Sequence, residues 1–421
     1  MRRVLVVTIE GLGTNLVGCF GGAIAPTKNW DSFACRSLVF DQYWADTLNP
    51  ADILQSMWSG VHFSMRNLSA NSPLPASATE LFGNGMLITD SVALVGEMDL
   101  DLFGDVLFVD SVARDSVQPM DSSADGAPTY SDLHDPESND PESNDPESND
   151  PESQLSHLIE TALGRWASHL DAFPLLWIHS RGLNGPWDAP YEYRCVMCDE
   201  GDPDPPRGSE PARLQVNEET DPDQVFGMAC AAGGQAIAMD EAWALIEEAL
   251  LQLGISDECM LILAGASGYP IGEHGWVGCG QELYAETLHL PLIIRPGHQL
   301  NLGIRVPSIV QPDSILATLS SWVKNENSDI NPSGHSETLL NDSDAFSPDA
   351  WPARRQVAFS CADRQQHMVV PAWSCRWSSK DGGHEKIELY AMPDDRWQQN
   401  EISQRAWHIA EQLGELRSTW E

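Results

Sequence analysis

Short β-branched apolar runs alternate with longer amphipathic segments along most of this chain, and that alternation restricts it to an α/β architecture. The first run is Val4 to Ile9, closed by Gly11 and Gly13. Others are Met86–Thr89, Val106–Val109, Pro174–His179, Cys259–Leu263 and Leu288–Ile294. Strands covered on both faces read as continuous apolar runs rather than as strict alternation. Between them the spacing becomes helical. From Ala236 to Leu253, Ile237, Ala242, Leu245, Ile246, Ala249 and Leu250 recur on one face, and Gly254 ends the pattern. Residues 155–169 and 313–323 read the same way. The predicted fold is therefore a sandwich of helices around a mainly parallel mixed sheet over residues 1–324. Farther on, Val357–Phe359 and Lys386–Tyr390 read as strands and Glu401–Leu416 as a helix, giving a small α+β subdomain over 351–421.

Charge divides the chain differently. The 421 residues carry 63 Asp and Glu against 23 Lys and Arg, a net charge of -40. Residues 121–154, 199–223 and 325–350 carry -11, -7 and -6, so 24 of the 40 negative charges sit in three stretches. The first includes four tandem copies of Asp-Pro-Glu-Ser-Asn over 135–154, the last ending in Gln154. Such a repeat offers nothing apolar to bury, so 121–154 and 199–223 are expected to be disordered inserts and 325–350 an acidic linker. An acidic chain is a poor partner for nucleic acid or anionic membrane.

The opening apolar run is too short for a secretory leader, and no run of 18 apolar residues exists. Nine widely scattered cysteines then read as reduced thiols, and the expected location is cytoplasmic. Cys195 and Cys198 form a Cys-x-x-Cys without a second pair at zinc-site spacing.

The motifs carry a resemblance. Val4 to Gly21, with Glu10 after the first strand and Val17-Gly18-Cys19-Phe20-Gly21 behind it, resembles the opening of sulfatases of the alkaline-phosphatase superfamily. Ala25-Pro26-Thr27-Lys28-Asn29-Trp30-Asp31 is similar to that family's next helix start. Leu176 to His179 with Pro186 to Tyr191, Gly272-Glu273-His274-Gly275, Leu283 to Gly297, Val310 to Ile315 and Glu388 to Asp395 follow in family order. The resemblance implies the alkaline-phosphatase/sulfatase-like fold over nearly the whole chain outside the acidic stretches.

It does not carry the chemistry across. The family's nucleophile position falls at Pro50 and its activating Arg at Leu54. Thr47 is the one hydroxyl close by. The family's calcium ligands fall at Glu10, Ala266 and Ser267, its loop His at Asn184 and its sulfate-binding Lys at Ser374. A calcium ion wants six to eight oxygens, several of them charged, which this set does not supply. Glu10 reads more readily as a carboxylate hydrogen-bonded at a strand end than as a residual cation ligand, and His274 as a structural residue of a tight loop.

Two functions are therefore weighed. In the first, the chain is a sulfatase-like protein without sulfuric ester hydrolase activity, needing no cofactor, and binds a partner protein or a sulfated ligand. In the second, it hydrolyses sulfate or phosphate esters at an atypical centre of Thr47, Glu10 and His274, with a divalent cation such as Ca²⁺.

Overall fold

A computed structural model of the chain describes residues 2–66, 74–110, 153–278, 280–297, 302–324, 355–379 and 385–420. Among the described residues ten strands precede the C-terminal subdomain: β1 (Arg3–Ile9), β2 (Leu38–Tyr43), β3 (Gly85–Thr89), β4 (Asp105–Phe108), β5 (Leu175–Ser180), β6 (Leu214–Gln215), β7 (Cys259–Gly265), β8 (Trp276–Val277), β9 (Leu292–Arg295) and β10 (Ile304–Val310). Eight of them form one sheet in the order β10-β2-β9-β7-β1-β5-β3-β4. Every pairing in it is parallel except those of β9, which runs antiparallel to β2 and to β7. The expected mixed, mainly parallel sheet is present.

Strand β1 lies at its centre, and both faces are covered. Val4 and Val6 join the core on one side of the sheet, while Leu5, Val7 and Ile9 join the core on the other. This is the two-residue periodicity of a strand whose side chains all find apolar partners. The first face meets helices α2 (Pro50–Ser59), α3 (Ala76–Gly83) and α7 (Ser314–Lys324). The second meets α1 (Lys28–Ala34), α5 (Gln154–Ala167) and α6 (Pro222–Gln252). A short helix, α4 (Val92–Glu97), follows β3. Among the described residues no helix is long and apolar enough to cross a membrane.

Several boundaries move. Helix α6 begins 14 residues before the predicted start, capped by Asp221, whose side chain accepts from the Asp223 amide. Its N-terminal half is rich in Ala and Gly because it packs closely. A Cβ on Gly234 would stand 2.7 Å from the Arg194 backbone nitrogen. The predicted strand at 288–294 is a helical turn, Ala285–Leu288, followed by β9. Pro291 enforces the break by driving the preceding residue to extended backbone. Strands β2 and β10 are additions. Asp41 and Gln42 in the former, and Arg305 and Pro307 in the latter, hide the apolar pattern.

The acidic stretch 199–223 is not the disordered insert that its composition suggests. Arg194, 4% exposed, donates through Nη1 to the carbonyls of Pro206 and Gly208 and through Nη2 to that of Trp187. The Tyr269 hydroxyl donates to the Ala212 carbonyl, and β6 pairs with β8. A residue outside the stretch thus supplies the donors that order it. The repeat at 135–154 falls outside the described residues except for its last two positions. Ser153 caps α5 there, accepting from the Ser156 amide, and Gln154 opens the helix. The linker 325–350 also falls outside them.

The C-terminal subdomain is a meander of β11 (Ala358–Ala362), β12 (Gln365–Val370), β13 (Trp373–Ser379) and β14 (Glu385–Ala391), with α8 (Trp407–Arg417) against it. Phe359, Met368, Cys375, Trp377 and Leu389 form its own core with Ala410 and Leu413 of α8.

Candidate functional site

Parallel sheets place ligands beyond the carboxyl ends of their central strands. Here those ends are Glu10 after β1, Asp90 and Ser91 after β3, Arg181 after β5, and Ala266 and Ser267 after β7. A cleft of about 820 Å³ opens at this edge, with Glu10, Thr47, Pro50, Ser91, Asp363 and Gln365 in its wall.

Glu10 is 8% exposed, and three donors hold its carboxylate. Oε1 lies 3.1 Å from His179 Nε2 and 3.3 Å from Ser91 Oγ, and Oε2 lies 3.0 Å from Asn184 Nδ2. Behind it, His179 Nδ1 stands 3.0 Å from the Thr8 hydroxyl oxygen, which accepts from the Trp177 indole at 3.0 Å. With its proton on Nε2, His179 donates to Glu10, and its Nδ1 accepts from Thr8. The chain turns directly after this carboxylate. Gly11 has φ +74°, and a Cβ there would stand 2.7 Å from Leu183 Cβ, so only glycine fits.

Asp90 is a second buried carboxylate at the strand ends. Burial raises its pKa, partly offset by the Arg181 amide at 2.8 Å and the Arg181 charge. Ser267 Oγ accepts from the Gly11 amide at 2.8 Å, and the Ala266 amide donates to the Ile9 carbonyl at 2.8 Å. Both residues fasten the end of β7 to the end of β1.

On the other wall, Asn49 caps α2 by accepting from the Ala51 amide at 2.8 Å, and Pro50 is the first helical residue. Pro is well suited to that position because its missing N–H has no helical partner. Leu54, one turn on, is fully buried in the core and does not line the cleft. Thr47 is 3% exposed and lines it.

His274 and Ser374 are not in that wall. They belong to a polar layer between the sheet domain and the C-terminal subdomain. His274 adopts φ +47°, stacks on Tyr284 with ring centres 3.8 Å apart, and has acceptors at both nitrogens. Glu286 Oε1 is 2.8 Å from Nδ1, and the Gln398 carbonyl is 2.9 Å from Nε2. Burial disfavours its charge, but the bond to Glu286 and the surrounding acceptors outweigh this and raise its pKa. Gln398 continues the layer, accepting from the Ala285 amide and donating to Ser374 Oγ. Ser374 is fully buried and also bonds His367 Nε2 at 2.8 Å.

Sequence reasoning thus named three residues of the cleft wall, Glu10, Thr47 and Pro50, one that holds Glu10, Asn184, and two that fasten β7 to β1, Ala266 and Ser267. It missed Ser91, His179 as a partner of Glu10, Gln365 and Gln398. Polar residues directly after a buried strand, such as Asp90 and Ser91, were the available signal for the first of these.

No family model and no curated protein sequence matches the chain. Solved structures do. A phosphonate monoester hydrolase of Agrobacterium radiobacter matches with a TM-score of 0.68 at 15% identity, over 100% of this chain and 96% of that one. A protein solved in complex with its substrate D-glucosamine-2-N,6-O-disulfate matches with 0.69 at 13%, over 99% and 97%. A 2-O GAG sulfatase matches with 0.63 at 14%, over 99% and 90%. At such identities the likeness establishes the fold.

These matches overturn one expectation. The sequence suggested that no cofactor belongs here, whereas sulfatases and phosphonate monoester hydrolases are enzymes that use metal ions. The side chains present do not match a divalent-cation cage, however. Among the described residues no three His, Cys, Asp or Glu side chains converge to hold a metal, and Ala266 offers no ligand atom from its side chain.

Proposed function

We propose, proceeding from the sulfatase-like fold this chain shares with those structures, that the protein is a non-catalytic member of that structural class and uses the strand-end cleft to bind rather than to cleave. One observation carries this reading: the first residue of α2, in the cleft wall where the resemblance implies a nucleophile, is Pro50, which has no nucleophilic atom. Leu54, at the implied position of the activating Arg, faces the core. Without a cationic side chain in the wall, charge developing on a sulfuryl or phosphoryl group finds no stabilising partner among these residues. Of the two ligand classes expected from the sequence, the charge of the lining favours a partner over a sulfated ligand. Eight free cysteines among the described residues fit a reducing, cytoplasmic location.

One observation favours the runner-up reading, an ester hydrolase with an atypical centre. Thr47 and Glu10 line the same cleft, so a hydroxyl and a carboxylate face one ligand volume. The test is turnover of an aryl sulfate, an aryl phosphate and an aryl phosphonate monoester by the purified full chain, with Ca²⁺, Mg²⁺, Mn²⁺ or Zn²⁺ added in turn. The expected result is the uncatalysed rate in every case. Turnover lost in Thr47→Ala would sink the binding reading.

A further inference from the structure

Among the described residues the cleft is lined by acids and by no positive side chain. Its carboxylates are Glu10, Asp52 and Asp363, its amides Asn49, Gln281 and Gln365, and among the described residues no Lys, Arg or His lines it. Asp52 is neutralised by Arg66 at 2.8 Å. The other two carboxylates are not neutralised in this way. The donors to Glu10 are His179, Ser91 and Asn184, none of them a Lys or Arg, and Asp363 has no ion-pair partner among the described residues. Asp363 is exposed at the β11–β12 turn, where φ +46° suits an Asp or Asn.

A second observation is independent of the acids. Thr47 is 97% buried by its neighbours, lines the cleft, and its hydroxyl has no hydrogen-bond partner among the described residues. An unpartnered hydroxyl that opens on a cleft wall is free to exchange a hydrogen bond with whatever fills the cleft, so it is a contact point for a ligand atom.

Size and shape then choose among cations. At about 820 Å³ the cleft has the volume of a small-molecule site, not of a single ion. Leu48, Phe63 and Leu94 supply apolar wall beside the acceptors. A protonated primary amine carries three donors and no acceptor on an aliphatic stem, which is the complement of this lining. We propose that the cleft binds an ammonium-bearing ligand, either a free polyamine or a lysine side chain presented by a partner protein. The inference rests on the binding reading above and names its ligand class.

The test is calorimetric titration of the full chain with spermidine, with N-acetyl-lysinamide, with sodium sulfate and with calcium chloride. The expected result is one amine site per chain, weakened about tenfold or more by Glu10→Gln and by Asp363→Asn, since each variant removes a charged acceptor. Glu415→Gln, which removes an exposed acid outside the cleft, should leave it unchanged. Asp363→Asn keeps the test decisive if the buried Glu10→Gln variant does not fold. Binding of spermidine alone assigns a free polyamine, and binding of both amines assigns a lysine side chain. The proposal is overturned if sulfate binds more tightly than either amine, or if calcium occupies the cleft and excludes them. Multi-site amine binding that is equally weakened by Glu415→Gln also overturns it. Absence of both turnover and amine binding defeats this inference alone. Turnover together with single-site amine binding defeats only the non-catalytic reading.

Discussion

Two histidines of the polar layer under the C-terminal subdomain have opposite surroundings, and His274 is the one that can be titrated usefully. Its nitrogens face the Glu286 carboxylate and the Gln398 carbonyl, while Glu388 adds negative charge nearby, so the doubly protonated ring satisfies both contacts. A histidine whose pKa is raised on folding stabilises the fold fully below its unfolded pKa of about 6.5 and loses that contribution as pH rises through the folded value. His274→Asn keeps the left-handed backbone, which Asn tolerates, but cannot hold both acceptors with charge. The variant should be less stable by about 2 kcal/mol near pH 6, with the gap narrowing as pH rises above 6.5. Denaturant unfolding of both proteins at several pH values checks this, and a gap constant with pH would remove the charged-ring account. His367 behaves in the opposite sense. Burial, then the Arg376 charge, lowers its pKa to about 3, so its contribution is lost as pH falls below 6.5. At this scale the sequence was legible where a residue follows a strand, as with Glu10. It was silent where a residue acts from far along the chain, as when Gln398 reaches His274, because no local pattern encodes a contact across 124 positions.

Elements were legible in proportion to how uniformly they are buried. Strands β1, β5 and β7 are apolar on both faces and stand out in the sequence, whereas β12 and β13, with Gln365, Gln366 and Ser374, do not. The stretch 199–223 is the instructive failure. Its prolines and acids describe a segment that cannot bury itself, yet it is ordered because Arg194 lends it two hydrogen bonds, at Pro206 and Gly208, while a third ties the same side chain to Trp187. Arg194 makes those bonds to carbonyls and has no carboxylate among them, so its removal leaves acceptors, not a charge, without partners. Arg194→Ala should cost about 3 kcal/mol, at the upper end for losing charged hydrogen bonds. The loss should be local as well as global. Limited proteolysis should cut between residues 199 and 213 at least about tenfold faster than in the parent, because cleavage follows the free energy of local opening. Unchanged cleavage there would mean that β6 and the Tyr269 contact order the segment without Arg194.

The whole molecule carries more negative charge than its own cations can balance. If every one of the 23 Lys and Arg were paired with a carboxylate, 40 of the 63 acids would still have no cation of their own. The ion pairs that do form are concentrated where they organise structure, such as Arg376 with Glu388 and Arg355 with Asp313. Pairs this buried are weakly screened, while repulsion among exposed acids is screened readily. Going from about 0.1 M to about 1 M sodium chloride shortens the screening length from about 10 Å to about 3 Å. Self-repulsion should then fall more than attraction, and the melting temperature should rise by several degrees, the direction expected for a chain far from neutrality. The same salt should weaken an ammonium ligand in the cleft, because attraction between ligand and site is screened along with the repulsion. Stability and affinity are therefore expected to move in opposite directions in one titration. Thermal melts and calorimetric titrations over the same salt series measure both. A melting temperature that falls with salt would mean that ion pairs dominate over the excess charge. An affinity indifferent to salt would mean that the cleft holds its ligand by shape and neutral hydrogen bonds instead.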